Sequence, residues 1–367
     1  MARAVVVGAG AFGAALADRL VGDGWEVTLV DRFGPGHALA ESGGETRLLR
    51  FSHGRDALYT RLARRARELW LELGEDLLVE SGVVWLARRE HGWEADSERV
   101  LLDEGIPVER VAPEDAPTLL PGLSGAGLAY VLHEPEAGVL RASRAVRALA
   151  DRAAAGGARI ELGEARPEGR AARLGARVLE GDAVVWACGA WLARLFPSLV
   201  SLRVTLQQLV LFQAGPEWAG PGWVDFHGPW YGHGAIPPHG FKVAFDADGP
   251  PVDPDERPRE AGAEAVQSAR EYLAERFPAL AEAPVASAPA CHYSLTPDSN
   301  FLFAAHPEQP GVWLLGGGSG HGFKHAPAVA EHVADVLAGR TLPEPRFALG
   351  DREPGRSLRT AGSEPSA

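Results

Sequence analysis

The sequence predicts an α/β protein, α+β overall, in which one discontinuous domain is joined by a second, β-sheet-rich domain made of two insertions. Three observations carry the prediction. At 367 residues the chain is longer than one typical hydrophobic core supports. Its first 31 residues read as strand, glycine turn, helix and strand. The same pairing of buried strand and amphipathic helix returns in the middle of the chain and near its C-terminus, separated by two stretches of short β-like runs.

The opening unit is the most explicit. Residues 4–7 are a short buried-strand run, followed by Gly8-Ala9-Gly10-Ala11-Phe12-Gly13, an alanine-rich helical stretch over 14–21, and a second strand over 25–30 that ends in Asp31. Gly8 permits the tight turn, Gly10 lets the backbone approach a pyrophosphate, and Gly13 lets helix and strand pack closely. The helix N-terminus then offers N–H groups and a positive dipole end to phosphates. Asp31 is placed to accept hydrogen bonds from ribose hydroxyls and would repel a 2′-phosphate. G-x-G-x-x-G alone means little in a chain with 44 glycines. The complete unit predicts a Rossmann-like ADP-binding site and leaves open whether the ADP belongs to NAD or FAD.

Over residues 55–73, Leu58, Leu62, Ala66, Leu69, Trp70 and Leu73 recur at helical spacing and predict a long amphipathic helix. Residues 79–135 change to short β-like runs such as "SGVVWLAR" and "GLAYVLHEP", punctuated by Pro and Gly. Helical pattern returns in "ASRAVRALADRAAAGG", followed by the buried run "DAVVWACGAW". Residues 203–247 read as strands, 263–276 as a helix, "GVWLL" as a strand before a glycine loop, and the stretch with Val329, Val333, Val336 and Leu337 on one face as the last helix. The expected division is 1–78, 137–201 and 286–345 for the dinucleotide domain and 79–136 and 202–285 for the second domain, with the active site between them. The aperiodic stretch 350–367, rich in Arg, Gly, Ser, Pro and Glu, is expected to be a disordered tail.

Composition excludes several classes. A net charge of −13 without any basic run disfavours nucleic-acid and membrane-surface partners. The start "MARAVVVGAGAFG" lacks the layout of a secretory signal, and no apolar run is long enough to cross a bilayer, so a cytoplasmic protein is expected. Cys188 and Cys291 cannot make a disulfide framework, and no Cys/His spacing resembles a zinc site, so no metal is expected. Every cation is Arg except Lys242 and Lys324, which raises the question of what keeps lysine at these two places.

Six motifs in order answer it: "GAGAFG"; "GETRLLR" leading into the long helix; "VVWACGAW"; "WYGHG…HGFK" around Tyr231 and Lys242; "ACHYSLTPDSNFLF"; and "GSGHGFK". Together they resemble the D-amino-acid-oxidase-like flavoproteins, and within them the monomeric sarcosine oxidase and N-methyltryptophan oxidase group, over nearly the whole chain. The resemblance implies FAD as cofactor, a small amino-acid substrate, O2 as acceptor and a monomer. It implies oxidation of a secondary or N-methyl amino acid at the C–N bond, giving an imine that hydrolyses and H2O2. Cofactor contacts are implied for Gly8, Gly10, Ala11, Phe12, Gly13, Asp31, Arg32, Thr46, Gly318, Gly320, Gly322, Phe323 and Lys324, and a covalent 8α-S-cysteinyl bond through Cys291.

The same resemblance places the substrate carboxylate between Arg50 and Lys324, where a planar fork and a compact charge complement each other. It places Lys242 on the oxygen-reacting side of the flavin, where a fixed point charge favours a developing anion, and gives Arg47 and Tyr231 active-site roles. His321 could orient substrate or flavin, or be a packed structural residue. Cys188 reads as a small buried hydrophobe. Three positions depart from the family pattern: Ser42-Gly43-Gly44 where a histidine is usual, Gly318 where an aromatic is common, and Asp246 where His often stands. They lie near the expected pocket and bear on which substrate it takes. An NAD-dependent dehydrogenase, allowed by the first 31 residues, leaves the Cys291 and Lys324 motifs unexplained. A non-catalytic or substrate-sensing flavoprotein is the alternative of another class.

Overall fold

A computed structural model describes residues 1–74, 76–355 and 357–361. Its central sheet has six strands, ordered Leu302–Ala305, Val312–Gly316, Ala183–Trp186, Arg3–Val7, Glu26–Asp31 and Arg159–Leu162. All neighbours run parallel except the edge pair of Leu302–Ala305 with Val312–Gly316. Alternation along Arg3–Val7 decides what covers each face. Ala4 and Val6 pack into one core with the helices Ala11–Gly22, Ala142–Ala155 and Ala326–Leu337. Val5 and Val7 turn to the other side, against Ala165, Ala172 and Leu174 of a three-stranded antiparallel sheet spanning Ala165–Glu168, Ala171–Leu174 and Arg177–Leu179. With both faces covered, the middle strands carry apolar residues on both sides, Ala4 to Val7 and Ala183 to Trp186 being buried throughout, as parallel strands need to be.

The elements expected from the sequence in these stretches are present, with ends shifted by a few residues: Ala11–Gly22, Ala57–Leu73, Ala142–Ala155, Ala263–Arg276 and Ala326–Leu337 are helices. An additional helix, Trp93–Asp103, lies in the stretch read as β-like. Its buried side chains Glu94, Ser97 and Leu101 keep helical spacing, but two of the three are polar, so no apolar stripe announces it.

A second, larger sheet joins strands from two distant parts of the chain. Val83–Ala87 pairs in parallel with Gly222–Asp225, and from there the sheet continues through Trp230–His233 and Phe241–Phe245 to the long strand Arg203–Phe212. The strand Ala290–Leu295 pairs with the first half of Arg203–Phe212, setting Cys291 opposite Gln207 and Tyr293 opposite Thr205. The helix Ala263–Arg276 closes the outer face through Ala269, Tyr272 and Leu273, which pack on Trp223, Phe241 and Phe277. The small sheet of Thr46–Leu49, Leu78–Val79 and Gly138–Arg141 stitches the two parts together.

The C-terminal stretch departs from expectation. Of the tail expected to be disordered, residues 350–355 and 357–361 are ordered against the body, and 356 and 362–367 lie outside the described residues. Arg352 donates to Asp298 Oδ1 at 3.0 Å and to the carbonyls of Asn300, Phe301 and Ala348. Ser357 Oγ accepts the backbone N–H groups of Arg359 and Thr360, and Ala361 N–H donates to Phe226 O at 3.1 Å. Composition misleads here because the segment is held by polar side chains finding partners, which leaves no hydrophobic period to read.

Candidate functional site

The strand order reverses beside Arg3–Val7, and a groove of about 380 Å3 opens there, outside the strand ends. Its floor is backbone. A Cβ added at Gly8, which has φ 104°, would stand 2.3 Å from Ala187 O, and one at Gly13 would stand 1.8 Å from Gly8 O. Gly10 meets only Ser42 Oγ, at 3.2 Å, and Ser42 Oγ accepts Ala11 N–H at the start of the first helix. Asp31 lines the groove, with Oδ2 accepting Ala9 N–H at 2.7 Å and Oδ1 accepting the N–H groups of Phe33 and Gly34. The carboxylate thus shapes the turn first, and a ribose hydroxyl would take a lone pair the backbone leaves free.

The far wall of the groove is the loop Gly316 to Phe323, which leads into the helix Ala326–Leu337. Gly317 and Gly320 adopt φ 64° and 74°. A side chain at Gly322 would press to 2.9 Å on Phe12 Cζ, so the loop closes on the first helix only without one. A groove with an acid at one end, a helix N-terminus in the middle and a glycine loop before a second helix N-terminus fits an elongated dinucleotide such as FAD. The groove lining includes Ala11, Phe12, Arg32, Gly318 and Phe323. Thr46 stands back from it, its Oγ1 2.9 Å from His233 Nε2.

A second cavity, of about 50 Å3, adjoins the groove and shares Arg47, Tyr293, Gly320 and Phe323 with it. Arg50 and Lys324 both line it, and both are buried. Arg50 donates to Ser52 O and, at 3.0 Å, to Leu358 O, and it stacks 5.1 Å from the Trp85 ring centroid. Burial pushes its guanidinium down to about 10, against the opposing charges of Asp246 and Glu134. Lys324 Nζ donates to His321 O at 3.1 Å, and burial followed by repulsion from Arg50 holds its ammonium well below the usual lysine range. Two crowded cations with no ion pair of their own among the described residues make a receptor for an anion. Glu134, fully buried on the second sheet, fixes the segment after Arg50 by accepting Phe51 N–H at 2.6 Å, Ser52 N–H at 3.1 Å, the Ser52 hydroxyl, and Trp85 Nε1–H at 2.7 Å.

Lys242 is also buried but lies outside both linings. Its Nζ donates to Thr46 O at 3.3 Å and stands 5.0 Å from the Tyr231 ring centroid. Burial, then the Arg47 charge, pushes it down to about 7. Arg47 binds the carbonyls of Thr46, Glu41 and Gly43 at 2.7–2.8 Å, so its guanidinium is fixed between groove and cavity. Cys291 is a free, half-buried thiol close enough to Lys242 and Tyr231 to act on them electrostatically. Cys188 differs: its Sγ donates to Val7 O at 3.3 Å, and burial pushes its thiol strongly up. Tyr231 lines the small cavity, its hydroxyl 3.5 Å from that of Tyr293.

His321 belongs to a group no sequence spacing reveals. His53, His321 and His325 bring ring nitrogens within 4.8 Å of one another behind Lys324. His53 Nδ1 lies 2.8 Å from Phe51 O and His321 Nε2 lies 2.9 Å from Ser299 O. Burial, then the Lys324 charge, lowers the proton affinity of all three, so they stand neutral, and the same positive field opposes a cation. His321 also stacks on Phe301, 4.9 Å between ring centroids, so it packs and lines the cavity at once.

Comparison with known proteins agrees with this geometry. Residues 3–336 match the family model described as FAD dependent oxidoreductase. The chain belongs to that family. It is 30% identical to a monomeric sarcosine oxidase of Streptomyces avermitilis, covering 93% of this chain and 94% of the relative. It is 29% identical to one from Bacillus sp. strain B-0618 over 92% of each chain, and 26% identical to an N-methyl-L-tryptophan oxidase of Salmonella arizonae over 92% of this chain and 95% of the relative. In fold it is similar to an L-proline dehydrogenase from P. horikoshii, with TM-score 0.82, 23% identity and 95% and 96% of the two chains covered. It is likewise similar to glycine oxidase from Geobacillus kaustophilus, with TM-score 0.79, 23% identity and 96% and 100% covered. No helix among the described residues is long and apolar enough to cross a membrane.

For a member of the FAD-dependent oxidoreductases, the sequence reading missed several residues around the two spaces. Glu41 lines the groove, and burial pushes its carboxyl up to about 7 against hydrogen bonds from Ser294 and the Arg47 charge. Asp255 reaches the groove rim from the stretch between the strand Phe241–Phe245 and the helix Ala263–Arg276 and accepts from Arg32 Nη1 at 2.8 Å, Arg194 Nη1 at 2.9 Å and Trp191 Nε1 at 3.1 Å. Arg359, from the stretch expected to be disordered, lines the small cavity. None of these has a local motif; for Asp246 the signal was its departure from the family's usual histidine.

Proposed function

We propose that the protein oxidises a secondary or N-methyl amino acid at its C–N bond, giving an imine that hydrolyses, while O2 is reduced to H2O2. The observation that carries this reading is the adjacency of a dinucleotide groove and a small cavity whose wall holds two buried cations, Arg50 and Lys324. Bound in the groove, FAD would supply a hydride acceptor that oxygen can reoxidise. The chain's residues do the rest. Arg50 and Lys324 grip the substrate carboxylate, and the cavity's size favours a small amino acid. Arg47, held by three carbonyls, and Tyr231 define the boundary at which the substrate's reacting carbon faces the groove. Lys242, a desolvated point charge near Thr46, Tyr231 and Cys291, favours the anion formed when oxygen takes up an electron.

Covalent attachment through Cys291 is part of the proposal, supported by a free thiol close to Lys242 and Tyr231. The division into a cofactor domain of 1–78, 137–201 and 286–345 and a substrate domain of 79–136 and 202–285, a monomeric state and a cytoplasmic location are likewise proposed. The test is anaerobic mixing of the yellow holoenzyme with sarcosine, N-methyl-L-alanine, L-proline and glycine, followed by air. Bleaching by one of the secondary amines and stoichiometric peroxide on reoxidation are expected. Bleaching by glycine alone would move the substrate to primary amino acids, and no bleaching by any would defeat the amine reading. Mass spectrometry of the denatured chain should show one FAD added, absent in Cys291→Ala.

A further inference from the structure

We infer that Asp246 receives the substrate's amine and takes its proton, and that Arg359, from the C-terminal segment, holds Asp246 in place and charged for that task. The inference rests on the amino-acid-oxidising reading above and names the amine side of the same site.

Asp246 follows the strand Phe241–Phe245 and is only 8% exposed. Its Oδ1 accepts the Tyr293 hydroxyl at 3.0 Å and Arg359 Nη1 at 3.0 Å. Among the described residues Oδ2 has no hydrogen-bond donor, and the carboxyl lines the same 50 Å3 cavity as Arg50 and Lys324. Oδ2 is therefore free to accept a donor from a ligand in the cavity, and an ionised carboxylate there favours a ligand that brings a charged one. A zwitterionic amino acid brings its ammonium across the cavity from its carboxylate, and each charge then meets its opposite.

Arg359 cannot itself take the substrate. Its Nε donates to Ser319 O at 3.1 Å, Nη1 to both the carboxyl and the carbonyl of Asp246, and Nη2 to Asp248 Oδ1, while the guanidinium sits 4.8 Å from the Tyr293 ring centroid. It is therefore a positioning residue. Burial raises the proton affinity of Asp246, opposed first by Arg359, then by Arg50 and the Tyr293 hydroxyl. Tyr231, Lys324 and Lys242 also feel its charge.

The step has a chemical necessity. Forming a C=N bond needs the nitrogen lone pair, yet an alkylamine with a pKa near that of lysine, about 10.4, is unprotonated only about once in 10³ molecules at pH 7. In the proposed transfer the N–H bond breaks, its electron pair stays on nitrogen and the proton bonds to Asp246 Oδ2. A neutral amine then faces a neutral carboxyl, and the carboxyl returns the proton to water after the product leaves. No oxidation state changes in this step.

The test is anaerobic reduction of the holoenzyme by sarcosine and L-proline across pH. The parent should show a one-proton acid limb, the rate falling as pH drops and Asp246 is protonated. The near-isosteric Asp246→Asn should lose about a hundredfold at pH 7, with the deficit shrinking as pH approaches the amine's own pKa. Arg359→Leu should shift the parent limb upward, because removing the cation makes the carboxyl harder to ionise, and Arg359→Lys should restore part of that shift. A profile of Asp246→Asn that superimposes on the parent's would overturn the proton-transfer role, and an Arg359→Leu loss equal at every pH would overturn the positioning role. A turnover-free measurement separates this failure from that of the substrate reading. Glycine betaine should perturb the flavin spectrum at about tenfold lower concentration than 3,3-dimethylbutanoate, its uncharged-end isostere, and Asp246→Asn should erase the difference. Equal binding of the two by the parent would refute the amine receptor even if some amine is oxidised.

Discussion

The cofactor groove and the substrate cavity share Arg47, Tyr293, Gly320 and Phe323, yet they are made of different material. The groove's floor and far wall are built from backbone, Gly8, Gly10 and Gly13 on one side and the loop from Gly316 to Phe323 on the other, each from one short stretch of chain. The cavity is built from side chains that arrive singly, Arg50 after a small-sheet strand, Tyr231 and Asp246 from the larger sheet, Tyr293 from the strand that pairs with it, Lys324 before the last helix and Arg359 from the C-terminal segment. A wall of backbone tolerates no added atom, whereas a wall of side chains exchanges one chemistry for another at fixed shape. The first should be conserved in form across different substrates, and the second is where the substrate is chosen.

The sharpest test of the contrast is to add atoms to the backbone wall. Gly13→Val places a side chain 1.8 Å from Gly8 O in the turn itself. Overpacking of this kind costs about 1–3 kcal/mol before the groove geometry is considered. The purified variant should carry essentially no FAD by absorbance, while retaining helical circular dichroism. Full flavin occupancy would break the claim that the groove is fixed by backbone contact.

Lys242→Met comes next. Anaerobic reduction should proceed as in the parent and reoxidation should slow by about 10²–10³, a split that stopped flow reads directly. Because burial pushes the Lys242 ammonium down to about 7, its charge is present below that pH and lost above it. Parent reoxidation should therefore slow on the alkaline side of about 7, through a limb that Lys242→Met lacks. Equal slowing of both half-reactions would make Lys242 a general positioning residue instead.

A smaller effect is expected at the carboxylate clamp. Lys324→Met removes one charge-assisted contact in a partly dry cavity, worth about 1.5–3 kcal/mol, or about ten- to a hundredfold in the affinity of a simple carboxylate inhibitor. Unchanged inhibitor binding would remove Lys324 from the clamp. The smallest effect belongs to the groove rim, where Arg32 pairs with Asp255 at 2.8 Å with 42% of the arginine side chain exposed. Arg32→Gln should change stability by less than about 1 kcal/mol and leave FAD content intact. A large loss of flavin would show that the rim pair, rather than the glycine floor, retains the cofactor.

By itself the sequence determined the sheet-and-helix framework, the groove and the family. These rest on local regularities: an unbroken buried run within Arg3–Val7, glycines at fixed offsets, and helical spacing in Ala57–Leu73. It also singled out Lys242 and Lys324, because two lysines among arginines are visible without coordinates. Only the tertiary structure decided what surrounds them. The three neutral histidines behind Lys324, the anchoring of Arg50 by a segment held on Glu134, and the entry of Arg359 beside Asp246 join residues far apart in the chain. Arg359 was hidden for a physical reason. A cation that is fixed by carboxylates and carbonyls leaves no period or motif in its own segment, because the partners that order it are supplied by folding and are not its neighbours in sequence.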